Sequence, residues 1–140
     1  MKMPFLQNVA LEVPEGWADF SVVTLVAPPQ GAFRPNVVVT SEDLVDGVAV
    51  ANHAKAQLKA LKADAAAFKL ITEGPATVGG HAGYMAEFSF KTPETQGLRQ
   101  IQYYAALGAR VYTLSLTHLD EDFEKQRPTF AEIASRFRLG

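Results

Sequence analysis

Leu98-Arg99-Gln100-Ile101-Gln102-Tyr103-Tyr104-Ala105-Ala106-Leu107-Gly108-Ala109-Arg110-Val111-Tyr112-Thr113-Leu114-Ser115-Leu116-Thr117-His118 is the stretch whose reading decides the fold. Its two halves, Leu98 to Leu107 and Arg110 to His118, alternate apolar and polar residues with the period of two that a half-buried strand requires. Gly108-Ala109 joins them, and a two-residue link of this kind reverses the chain into an antiparallel hairpin.

Moving toward the amino terminus, Ala82 to Phe90 reads as another strand. It follows the turn signal Gly79-Gly80 and a short extended piece from Ala76 to Val78. Gly74-Pro75 separates that piece from Phe68 to Glu73. Before these lies the one long helical signal, Val48 to Ala66, rich in alanine, lysine and leucine and free of internal Gly and Pro. Val50, Ala54, Leu58, Leu61 and Ala65 form its apolar stripe, Lys55, Lys59 and Lys62 its flank, and Asp46 is the expected cap. Three strands precede the helix: Leu6 to Val13, ended by Pro14-Glu15-Gly16; Ser21 to Ala27, stopped by Pro28-Pro29; and Asn36 to Ser41. A closing helix is expected from about Asp120, broken or restarted at Pro128, with Phe130, Ile133, Ala134 and Phe137 facing inward.

This order predicts an α+β domain: an antiparallel β-sheet with the long helix and the C-terminal helix on one face. A doubly wound parallel sheet would need more crossover helices. No repeat or linker divides the chain, so residues 1–140 are expected to form a single domain. By strand parity, Met85, Glu87, Ser89, Gln100, Gln102, Tyr104, Thr113 and Ser115 belong to the more polar alternate set. Two interpretations of that set stand: a solvated antiparallel face, or a groove for a partner chain.

Composition narrows the chemistry. The 140 residues are 48% hydrophobic and 20% charged with net charge -2, so a core is affordable and no field gathers a polyanion. With no cysteine, disulfides, thiolate metal sites and cysteine nucleophiles are excluded. No export signal or membrane-length apolar run is visible, so a cytoplasmic location is expected. His53, His81 and His118 have no metal-ligand spacing and are expected at the surface or as caps. Ser115 and His118 have opposite parity and cannot form a dyad on one strand. Asp120, Glu121, Asp122 and Glu124 suit a helix start, and Arg99 suits solvent or a local pair. Trp17 is expected in the core with its indole nitrogen bonded. No catalytic residue, metal or cofactor is expected.

Val13-Pro14-Glu15-Gly16-Trp17-Ala18-Asp19-Phe20-Ser21 resembles the opening signature of the DcrB/DUF1795 family. Gln57-Leu58, Phe68-Lys69-Leu70, Val78-Gly79-Gly80-His81-Ala82-Gly83-Tyr84, Arg99-Gln100 and Ala134-Ser135-Arg136-Phe137 continue the likeness in order. Val39-Thr40-Ser41-Glu42 departs from it, since relatives often carry a Thr-Arg type pair there. The resemblance implies a fold related to PsbP and Mog1. Within the family it points to the Eag adaptor chaperones of type VI secretion, cytoplasmic and usually homodimeric, which hold the N-terminal transmembrane helices of an effector. The partner expected on that basis is an effector protein with apolar N-terminal helices, without nucleic acid or direct membrane insertion. The alternative implied is a structural or regulatory domain recognising a folded partner.

Overall fold

A computed structural model describes residues 12–17, 22–31 and 33–140. The chain order is β1 (Val23–Val26), β2 (Asn36–Asp43), α1 (Val50–Asp64), β3 (Ala66–Val78), β4 (His81–Lys91), β5 (Gly97–Leu107) and β6 (Arg110–Leu119). A 3-10 turn at Asp120–Asp122 then leads into α2 (Phe123–Arg136). The six strands form one antiparallel sheet in the order β1-β2-β6-β5-β4-β3. The strand expected over Leu6 to Val13 lies almost wholly outside the described residues.

Both predicted hairpins form. Val78 pairs with His81 around Gly79 and Gly80, at φ 61° and 91°, as a type I′ turn requires. Leu107 pairs with Arg110 around Gly108, at φ 61°, with the left-handed residue in the first central position. Gly83 answers a different need: a Cβ there would sit 2.1 Å from the Tyr104 carbonyl oxygen, so only glycine lets β4 and β5 approach.

β3 runs unbroken through Gly74-Pro75, where the sequence suggests two pieces. It is an edge strand, where a proline need not cost a ladder bond. Near its start, register shifts between Ala66 and Lys69 and between Leu70 and Thr72 accompany Ala67 at φ 54°. α1 stops at Asp64, slightly earlier than its alanine run suggests, because Ala66 already pairs with Lys91. Its N-cap is Ala49, not Asp46, since Gly47 at φ 77° turns the chain between them. Pro128 does not break α2.

The placement of the helices differs from expectation: they cover opposite faces. Ala54 and Leu58 of α1 pack on Tyr84, Tyr104, Ala86 and Phe88, whereas Phe123 and Phe130 belong to the cluster of Val37, Ile101, Leu114 and Leu116. The β4–β5 register explains this, because Tyr84 lies opposite Tyr104 and Met85 opposite Tyr103. Even-numbered positions of these two strands therefore share one face, and the apolar patches of β4 and β6 fall on opposite sides. Each helix covers one patch. Full burial of a side chain such as Phe123 is worth about 1.5–3 kcal/mol, so neither patch is readily left open.

Candidate functional site

α1 packs against β3, β4 and β5 and leaves the rest of its sheet face uncovered. Across the exposed part, three strands present matched rows. Val38, Ser115 and Gln102 form one; Thr40, Thr113 and Tyr104 another; Asn36, Thr117 and Gln100 a third. Continued onto β4, the same rows reach Ala86, Tyr84 and Phe88 beneath α1. The face is thus apolar under the helix and polar beyond it. Where α1 stops covering the sheet there is a cleft of about 400 Å³, walled by Gln57 and Leu61 of α1.

The cleft floor is a connected polar ladder. The Tyr104 hydroxyl donates to Gln102 Oε1, Gln102 Nε2 to Gln100 Oε1 at 2.6 Å, and Gln100 Nε2 to Thr117 Oγ1 at 2.7 Å. Burial, reinforced by the negative charge of Glu42, pushes the Tyr104 phenol far above its ordinary pKa, so it remains a neutral donor. Glu42 stands at the rim, accepting from Gln57 Nε2 at 3.1 Å and lying 2.8 Å from His53 Nε2. Amides and hydroxyls suit recognition more than bond chemistry. Among the described residues, no group of three or more His, Asp or Glu side chains is placed to hold a metal ion.

Of the residues predicted to share a face, Gln100, Gln102, Tyr104, Thr113 and Ser115 do line this cleft. Met85, Glu87 and Ser89 do not. Their partners are Tyr103, Ile101 and Arg99, which puts them on the α2 side. The reason is a one-residue difference in register, which transfers a whole strand's side chains to the opposite face. Met85 packs on the α2-side core there.

Glu87 is 3% exposed and anchors an ion network. Arg127 donates to its two oxygens at 2.9 and 2.8 Å and to Glu124, while Arg99 pairs with Asp120 at 2.8 Å and Glu124 at 3.0 Å. Both guanidiniums lie over the Phe123 ring, at 5.5 Å for Arg99 and 5.1 Å for Arg127. Hydrogen bonds from Arg127 chiefly hold the Glu124 carboxyl below its ordinary pKa. This network fixes α2 on the sheet. The sequence leaves Arg99 to solvent or a local pair and gives no sign of the Glu87–Arg127 contact, 40 residues apart.

His118 and Trp17 also differ from expectation, whereas His81 takes the expected capping role. His118 is fully buried, stacked with Phe33 at 5.7 Å, and its Nε2 lies 3.2 Å from Gln30 Oε1. Burial lowers its pKa, outweighing the opposing charge of Asp122. His81 caps the carboxyl-terminal tail through a 2.7 Å contact with the Leu139 carbonyl. Trp17 is 70% exposed, so it is not a core residue here.

These features define an α+β domain whose single sheet is held between two helices, one on each face, with a polar cleft beside α1. The chain belongs to the DcrB family, whose model matches residues 9–135. Its fold is PsbP-like, an antiparallel sheet with a long helix and a C-terminal helix. A Pseudomonas aeruginosa protein of unknown function, PA94, described as a putative regulator, is similar at 20% identity and TM-score 0.84, over 96% of this chain and 94% of that one. LpqN of Mycobacterium tuberculosis, described as involved in cell envelope biogenesis, is similar at 15% identity and TM-score 0.59, over 86% and 85%. The PsbP protein of the cyanobacterium Synechocystis is similar at 11% identity and TM-score 0.60, over 93% and 99%. No protein of curated function matches the sequence. Family membership corrects the cytoplasmic expectation, since DcrB proteins are characteristically periplasmic. Among the described residues, no helix is long and apolar enough to cross a membrane.

Proposed function

We propose that this chain is a docking domain that recognises a folded partner through the uncovered half of its α1-side sheet face. The observation supporting this reading is the cleft, about 400 Å³, with neutral donors and acceptors from three adjacent strands. Such a surface supplies orientation through hydrogen bonds and asks no charge of its partner. The test is affinity capture with the intact protein and with Thr113→Arg and Ser115→Arg, followed by identification of what is retained. A partner held by the parent and lost by both folded variants supports the site. The same partner held equally by all three overturns it.

The lining also supports a narrower reading, that of a homodimeric adaptor chaperone for the apolar N-terminal helices of a type VI secretion effector. Serine, threonine and glutamine are side chains that meet transmembrane helices at packing surfaces. Co-expression with an apolar helical hairpin tests it. A soluble stoichiometric complex lost on Thr113→Arg supports the narrower reading, whereas precipitation of the hairpin despite excess domain overturns it.

A further inference from the structure

A second cleft, about 300 Å³, lies between α1 and β3, on the other side of α1's packed stripe. Its lining is Leu58, Phe68 and Leu70 with Lys55, Lys59, Lys62 and Glu73. Phe68 stacks on Phe88 at 5.2 Å, so the floor is anchored in the core. Leu70 remains 41% exposed and the adjacent Ile71 42%, on an edge strand with no outer neighbour among the described residues.

The three lysines occupy successive turns of one helix face, spanning about 10 Å at 1.5 Å rise per residue. None makes an ion pair within the described residues, and Lys55 Nζ stands 5.9 Å over the Tyr84 ring. Glu73 is engaged by the Tyr84 hydroxyl at 3.1 Å. The cleft therefore has an apolar floor, extended by the aliphatic lysine stems, and a cationic rim. Backbone pairing to β3 is a poor way to use this edge, because register shifts and Pro75 interrupt its ladder geometry. Side-chain docking remains. A helix alongside α1 repeats with the same period, so carboxylates three and four residues apart would meet the lysines in register.

We infer that this cleft docks an acidic amphipathic helix of a partner protein, independently of the polar cleft. The probe is a synthetic amphipathic helix with Glu at i, i+4 and i+7 beside a leucine stripe, compared with its Glu→Lys counterpart by fluorescence anisotropy on the full chain. The acidic peptide is expected to bind at least tenfold more tightly than the basic one. Combined Lys55→Gln, Lys59→Gln and Lys62→Gln substitutions should weaken it about tenfold at low salt, and added salt should weaken the parent complex similarly. Thr113→Arg should leave peptide affinity unchanged, which separates this site from the polar cleft. Equal binding of both peptides, no binding, or full affinity in the folded triple-glutamine variant would overturn the inference. So would loss of peptide binding in Thr113→Arg, or a lysine-dependent self-association that excludes the peptide.

Discussion

Tyr84 and Tyr104 face each other across the β4–β5 ladder, and both lie buried against Ala54 of α1. Their pairing assigns Ala86 and Phe88 to the face that also carries Gln102 and Gln100. One side of the sheet consequently passes from an apolar patch under α1 to a polar cleft beside it. A register one residue different would have buried the glutamines' neighbours and left the phenylalanine patch without its helix.

The close approach that permits this pairing depends on Gly83. Gly83→Ala would drive a Cβ into the Tyr104 carbonyl, and the backbone cannot yield as a flexible side chain would. Destabilisation of about 1–3 kcal/mol is expected from such overpacking. Urea denaturation would read it as a lower midpoint at unchanged slope.

The ion network beneath α2 predicts an asymmetry. Arg127→Met leaves the buried Glu87 carboxylate with only Arg99, 3.6 Å away. Glu87→Gln instead leaves Arg127, which is partly exposed and can turn toward water. The first substitution should cost about 2–4 kcal/mol and the second less, because an uncompensated buried charge is the dominant penalty. Equilibrium unfolding of the two variants checks the order.

His118 should make the fold acid-sensitive. Its folded pKa is depressed by burial below the ordinary value of 6.5, so the unfolded chain takes up the proton first as pH falls. Stability from the neutral buried ring is full above about pH 6.5 and is lost as pH drops through the folded pKa, at up to about 1.4 kcal/mol per pH unit. Unfolding midpoints at pH 7.5 and 5.5 should differ more for the parent than for His118→Phe.

Gln102→Ala should destabilise the domain by about 1–3 kcal/mol, because the buried Tyr104 hydroxyl loses its acceptor. Ser115 lies in the same cleft and is partly exposed, so Ser115→Arg should unfold within about 0.5 kcal/mol of the parent. Thermal unfolding of both separates scaffold from binding surface.

Much of this architecture is legible in the sequence because its signals are local. Gly79-Gly80 and Gly108 demand turns, and the alternation from Gln100 to Thr117 reports parity within each strand. Parity between strands is another matter. The loop from Thr92 to Gln96, with Thr95 at φ 65°, sets how β4 meets β5, and no residue pattern declares that register. The misplacement of Met85, Glu87 and Ser89, and of both helices on one face, follows from that gap. His118 and the Glu87–Arg127 pair were hidden for a related reason: each polar group is buried only because distant residues converge on it. The cleft residues Gln100, Gln102, Tyr104, Thr113 and Ser115 were accessible because two strands joined by a two-residue turn have their register set by the turn itself.

The most direct test of the docking surface is quantitative capture of one identified partner by the parent, Thr113→Arg and Ser115→Arg, with unfolding curves measured on the same preparations. The proposed site predicts retention by the parent and at least tenfold less by each variant at unchanged stability. Equal retention by all three folded proteins would contradict it.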